Sequence, residues 1–405
     1  MKNWIQTWIA VIVVGVGLLI SAILGLFAYV SITASPLHPN PDEVRSVTYG
    51  APAPHWADAV QRGRQIVRAG LTEQNLPGIS VAVGVGGDLV WAEGFGWADL
   101  EGRVAVTPDT PFRIGTASAV LTSAAVGLLL EKNRLTLDDE IQTYVPEFPK
   151  KAWPVTLRQL MAHVAGIRND AGDEEPVTVH CERTLEALDR FADRPLLFEP
   201  GTRYRDSSYG WILVSAAVER AAGEPFFTFM RKQIFERLGM DDTRADAATE
   251  PPQDPATYYF PRFAADPRYG PQSPTPVDYS CFSGSNAFLS TPSDLVRFGM
   301  ALGGGKLLQP ATVQSLQTSQ RLSSGQETGY GLGWDLETVT LAGEPTRAVG
   351  HDGELRGGMV ASFMTFPTHA IVVSVTSNTS FADTFSVAEK VAQVFAERGR
   401  PPARR

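Results

Sequence analysis

"TPFRIGTASAVLTSAAVGLLLEKNRLTLDDEIQTYVPEFP", residues 110–149, holds the key to the fold. From Thr116 to Leu130 it carries no charge. Leu121, Ala124, Ala125 and Leu128 mark one helical face, and the opposite face is largely apolar too. A helix apolar all round is buried in a large core or crosses a membrane. About 15 residues, several of them hydroxylic, is short for a crossing, so the pattern predicts a central buried helix. Thr116 opens it, placing a hydroxyl among free backbone N–H groups at the positive end of the helix dipole. A nucleophile there needs a proton acceptor one turn on, sharing its helix face. That position is Ala119, whose methyl neither accepts nor donates a proton.

Outward from this helix the pattern changes twice. Before it, Val60, Gly63, Val67 and Leu71 recur on one helical face, and Pro77 ends that run. "GISVAVGVGGDLVWAEGFGWADLE" (78–101) then reads as two strands around a Gly86-Gly87-Asp88 turn. Residues 131–245 read as mostly helical, with Gly166, Gly223 and Gly239 where helices should end. Residues 246–286 are rich in Pro, Asp and Tyr and read as loops. Strand patterns return from Tyr330, and an amphipathic helix covers 383–396. Strands therefore open and close the domain while helices fill its middle. The expected class is α/β (α+β): an antiparallel sheet built from N- and C-terminal strands and flanked by helices, with an inserted helical subdomain at about 131–286.

The chain has 405 residues, 43% hydrophobic and 20% charged, with a net charge of −9. That balance gives nucleic-acid binding no electrostatic support. No metal or cofactor motif occurs. Residues 8–30 contain no charge and are long enough to span a bilayer. Trp4, Trp8 and Tyr29 flank them, Lys2 precedes them, and Asp42 and Glu43 follow. The expectation is an uncleaved single-pass anchor, N-terminus in the cytoplasm and main domain exported. A cleaved signal peptide is the competing reading. Residues 31–55 read as a Pro-rich linker, 56–396 as the folded domain and 397–405 as a disordered basic tail. The two cysteines, Cys181 and Cys281, are either an exported-domain disulfide or two buried thiols. Asn378-Thr379-Ser380 fits a glycosylation triplet that chance also produces.

From residues 56 to 396 the chain resembles the serine beta-lactamase and penicillin-binding-protein superfamily, in its class C-related serine hydrolase branch. The resemblance rests on an ordered series of blocks. These are the 78–101 hairpin, the 110–149 helix block, "TLRQLMAHVAGI" (156–167), "FEPGTRYRDSSYGWILVSAAVERAAG" (198–223), "FLSTPSDLVRFG" (288–299), "YGLGW" (330–334) and "GHDGELRGG" (350–358). The family's nucleophilic Ser aligns with Thr116 and its Lys with Ala119. The Tyr and Asn of its Tyr-x-Asn motif align with Asp206 and Ser208. The third motif survives as His351-Asp352-Gly353, and the Gly-Gly before "FLST" is Asn286-Ala287.

Two readings follow. In the first, the family's pocket persists without catalysis. Thr116, Asp206, Ser208, His351, Asp352, Gly353 and Glu354 would then line a site for a small peptide or ester of cell-wall type. In the second, a weak hydrolase uses Thr116 as nucleophile with His351 as base and Asp206 orienting it. The backbone N–H groups of Thr116 and Glu354 would form its oxyanion hole. Against these stand plainer roles: Thr116 as a helix-start residue, Asp206 as an N-cap, and His163 holding a loop.

Overall fold

The computed structural model describes residues 2–168, 180–246, 256–273, 278–355 and 359–399. Most of the expected basic tail lies outside them. Helix α1, Lys2–Thr33, is followed by strand β1, Ser46–Val47, and helix α2, Ala57–Glu73. Strands β2, Gly78–Val85, and β3, Asp88–Asp99, form the expected hairpin, with Gly86 and Gly87 both at positive φ in its turn. A 3₁₀ turn at Gly115–Ala117 leads into α3, Ser118–Glu131. Helices α4, Ser208–Ala222, and α5, Pro292–Gly303, come next. Strands β4, Asp335–Leu341, β5, Glu344–Leu355, β6, Met359–Phe366, and β7, Ile371–Ser377, follow, with a short eighth strand, Val104–Ala105, paired to β3, and α6, Thr384–Gly399, comes last.

The sheet order is β1-β3-β2-β7-β6-β5-β4, antiparallel throughout. The pairing of β7 with β2, Val373 opposite Val83, joins the two ends of the chain as the sequence predicts. Side chains alternate across the strands, and both faces are covered. Ile371, Val373 and Val375 belong to one core with residues of α2 and α6, whereas Val372, Ala361 and Phe363 belong to the other with α3 and α4. A strand covered on both faces reads as an unbroken apolar run, which is how "MVASFMTF" and "IVVSVTS" look. Helix α3 is buried from Ser118 to Leu129. Two of its hydroxyls are spent inside the core: Thr122 donates to Gly284 O at 2.9 Å and Ser123 to Leu332 O at 2.6 Å.

Several expectations are corrected. The inserted region is less helical than its apolar periodicity suggests. "TLRQLMAHVAG" gives only Leu157–Met161, capped by Thr156 and Gln159, and "RTLEALDRFA" gives a 3₁₀ turn at Thr184–Arg190. Gly223 and Gly239 do end helices, but Gly166 follows a loop and presses against the Phe198 carbonyl. The segment expected to be a free linker is tied down. Ser46–Val47 pairs with β3, and Leu37 N donates to Asn75 Oδ1 at 2.7 Å. Asn378 cannot carry a glycan, because it is fully buried and its amide donates to Trp97, Ala98 and Thr257 carbonyls. The two cysteines pair, with Cα atoms 5.0 Å apart. Helix α1 contains Val11–Thr33, which among the described residues is the one stretch long and apolar enough to cross a membrane.

Candidate functional site

A cavity of 370 Å³ opens where the start of α3, the start of α4 and the end of β5 converge. Thr116, Ala119, Asp206, Ser208, His351 and Asp352 all line it. The structure therefore brings these six residues together around one cavity, but the contacts among them differ from the triad.

Thr116 lies in the 3₁₀ turn and makes no cap. Its Oγ1 donates to the Asp352 carbonyl at 3.1 Å. The close approach of β5 to this turn depends on Gly353, where a Cβ would collide with the Ile114 carbonyl and stand 2.8 Å from Ala117 N. Ala119 is 2% exposed. Gly333, at φ +92°, lets the 330–334 turn pack against Trp211 and the Ala119 carbonyl. No Lys or Arg lines this cavity among the described residues. Arg113 points elsewhere, paired with Asp246 and covering the Tyr258 ring at 4.2 Å. Ser118 is buried and does not reach the cavity.

His351 has both nitrogens engaged. Nδ1 stands 2.7 Å from the Asp352 carbonyl and Nε2 3.0 Å from Tyr330 Oη. The carbonyl can only accept, so Nδ1 carries the hydrogen and Nε2 accepts from the tyrosine. Asp335 Oδ2 is 3.7 Å from Nδ1, the place in which the triad reading puts Asp206. Alternation along β5 keeps His351 and Gly353 on the α3 face. It turns the Asp352 side chain to the other face, opposite Ser362. Loss of solvation, with the Asp335 charge adding to it, raises the Asp352 carboxyl to about 6. Its contribution to Thr116 is a carbonyl oxygen. Glu354 continues β5 opposite Val360.

Asp206 faces the other histidine. Its Oδ1 accepts from Tyr204 Oη at 2.8 Å and lies 3.8 Å from His163 Nε2. It is not the N-cap of α4; Ser207 is, accepting from Gly210 N at 3.2 Å. His163 is buried at φ +59°. Ser207 N donates to its Nδ1 at 3.0 Å, so the neutral ring carries its hydrogen on Nε2, toward Asp206. Trp211 Nε1, 3.3 Å from that same nitrogen, is a donor only and makes no hydrogen bond to it in this tautomer. Burial holds the His163 pKa down to about 4, which Asp206 opposes and His351 reinforces. The ring is neutral at pH 7. Burial likewise pushes the Tyr204 and Tyr330 hydroxyls well above the ordinary range, with nearby carboxylates adding to it.

His163, Tyr204, Tyr330 and Asp335 are the site residues that sequence reading missed as such. His163, Tyr204 and Tyr330 stood inside quoted blocks, and nothing local distinguishes a pocket tyrosine from a core one. As arranged, the cavity presents hydrogen-bond donors and acceptors. Among the described residues no basic group contacts the Thr116 hydroxyl.

The beta-lactamase family profile matches residues 64–396. The bovine serine beta-lactamase-like protein LACTB, mitochondrial, is 27% identical over 84% of this chain and 80% of its own length. Penicillin-binding protein 4* of Bacillus subtilis is 26% identical over 68% of this chain and 62% of its own. Among solved structures, D-amino acid amidase from Ochrobactrum anthropi superposes with a TM-score of 0.71 over 84% of this chain and 98% of its own, at 23% identity. FmtA from Staphylococcus aureus does so at 0.70 over 88% and 94%, at 17% identity, a likeness of fold. Because that profile match takes in most of the chain, this protein belongs to the beta-lactamase family, within the beta-lactamase/transpeptidase-like serine hydrolase superfamily.

Proposed function

We propose that this chain is a non-catalytic member of its family: a membrane-anchored protein whose pocket binds a ligand or regulates a partner without acyl transfer. The observation that carries this is Ala119, a buried methyl where the family keeps its amine. A hydroxyl at a helix start becomes a nucleophile only when a neighbour removes its proton. Here the Thr116 proton goes to a carbonyl oxygen, which is not a base at any accessible pH. The His351 nitrogens are taken by Tyr330 and Asp352. Thr also carries a methyl that restricts χ1 and crowds attack.

The ligand class is a small peptide or ester of cell-wall type, by analogy with the family. Val11–Thr33 serves as the anchor, with Lys2 on the cytoplasmic side and the domain exported. The Cys181–Cys281 pair supports an oxidising compartment.

The test uses the full chain in membranes, with a fluorescent penicillin, a fluorophosphonate and p-nitrophenyl esters. Wild type and Thr116→Ala should be equally unlabelled and equally inactive. A mass-spectrometric adduct on Thr116, or ester turnover lost in Thr116→Ala, overturns the proposal in favour of the weak hydrolase.

A further inference from the structure

Helix α1 does not leave the domain as a free rod. Its side chains are exposed along almost the whole apolar stretch, but Val30 is buried. One turn before it, the Phe27 ring meets two rings of the Phe260–Gln272 hairpin: Phe263 at 6.2 Å and Tyr269 at 6.0 Å. Phe263 and Tyr269 also pack edge to face on each other at 5.6 Å. Arg262 bridges the two elements, donating to the Tyr269 carbonyl at 2.8 Å and to Thr33 Oγ1 at 3.5 Å. The tip of the hairpin, Ala264-Ala265, is exposed, with both residues in the left-handed region.

The depth of these contacts decides what surrounds them. The apolar stretch has 23 residues, roughly 34 Å at 1.5 Å per residue, against a hydrocarbon layer of about 30 Å. Phe27 lies six residues before Thr33, about 9 Å inside the helix end. If α1 spans a bilayer, Phe27 stands inside the hydrocarbon layer, and rings stacked against it enter the zone where acyl chains meet headgroups. Amphipathic aromatics are favoured at that depth. Exposed guanidinium groups beside them suit lipid phosphates, and Arg262 and Arg268 flank the tip, Arg268 being paired with Asp266 at 2.6 Å as well.

We propose that the Phe260–Gln272 hairpin is a second membrane contact. In it Phe263, Tyr269 and the Ala264-Ala265 tip enter the interface of a phospholipid bilayer beside the anchor, fixing how the domain sits on the membrane. This rests on the anchor reading above. The partner is the lipid surface itself, continuous with the lipid around α1.

The two native cysteines are paired, so an introduced cysteine can be labelled selectively. Ala265→Cys, Leu18→Cys and Ser324→Cys carry an environment-sensitive fluorophore on the full chain in phosphatidylcholine/phosphatidylglycerol vesicles, with and without shallow doxyl-labelled lipid. Ser324 is exposed and serves as the aqueous reference. The expected result is blue-shifted, lipid-quenched emission at 265 and unquenched emission at 324. Phe263→Glu should return the 265 probe toward the aqueous signal while leaving the Leu18 probe in lipid. A 265 signal equal to that at 324, with Leu18 still quenched, overturns the hairpin contact alone. An unquenched Leu18 probe overturns the anchor, and the hairpin contact with it.

Discussion

The Thr116 hydroxyl is bound to the Asp352 carbonyl at 3.1 Å, and the residue one turn on is Ala119. Two elements are therefore missing, a freely attacking hydroxyl and a proton acceptor, and replacing one does not supply the other. Thr116→Ser alone should remain unlabelled by fluorescent penicillin. Thr116→Ser with Ala119→Lys should become labelled at position 116. The added side chain enters a site that is 2% exposed, so the double variant should lose about 1–3 kcal/mol of stability to overpacking. Gel fluorescence and calorimetry read both effects. Labelling of the single variant would show that a base already serves this position.

The periodic parts of the chain were legible and the contact geometry was not. Charge-free Thr116–Leu130 could only be a buried helix, and the β2–β3 and β5–β7 patterns could only be strands. Position 119 gave up its chemistry from residue type alone. The pairing of Asp206 was invisible, because a loop decides it: the 198–207 approach to α4 brings Tyr204 and His163 to Asp206. Asp335 then takes the place beside His351. The linker misled for a similar reason. Pro-rich sequence lacks periodicity whether or not its backbone is tied to side chains such as Asn75.

His163 should make stability depend on pH. Its folded pKa, held to about 4, lies below the ordinary value of 6.5. A depressed histidine pKa means that the neutral ring is the folded form. Its contribution is complete above about 6.5 and is lost as pH falls toward 4, amounting to a few kcal/mol at most. Asp294, raised to about 6 by burial, acts in the opposite sense, since its protonation relieves a buried charge. The informative quantity is thus a difference. His163→Asn tolerates the left-handed backbone and does not titrate. Melting temperatures from pH 7 to 4.5 should fall more steeply in wild type than in this variant. Parallel curves would mean that His163 is not the group responsible.

The Cys181–Cys281 bond closes a separation of 100 residues and joins the segment before Thr184 to the one carrying Ser285 into the pocket. Cys181 N also donates to Ser280 Oγ at 2.9 Å, so the two segments are already in register there. A loop of that length corresponds to about 4.7 kcal/mol of chain entropy, and losses of about 2–5 kcal/mol are usual. At about 2–4 °C per kcal/mol, reductant should lower the melting temperature of wild type by several degrees. Cys181→Ser with Cys281→Ser should melt at the lower temperature and ignore reductant. Insensitivity of the wild type would show the thiols unpaired.

Asn75 holds the chain that leaves the anchor. It is buried at φ +55°, accepts from Leu37 N at 2.7 Å and donates to the Ser35 and Arg268 carbonyls at 3.3 and 3.4 Å. One amide thereby joins α2, the segment after α1 and the Phe260–Gln272 hairpin. Asn75→Gly keeps the backbone conformation at no steric cost and removes all three bonds. Each lost bond is worth about 0.5–1.5 kcal/mol net, and the loss should appear locally because the two cores on the sheet are untouched. Limited proteolysis of the full chain in membranes should therefore cut the variant between residues 34 and 45 faster than wild type, with little change in the domain's melting temperature. Asn75→Ala adds a strained left-handed alanine and should cost more in melting temperature while giving the same cleavage pattern. If the glycine variant resists protease as wild type does, the segment is held by β1 and the His38 contact with Pro77 rather than by Asn75.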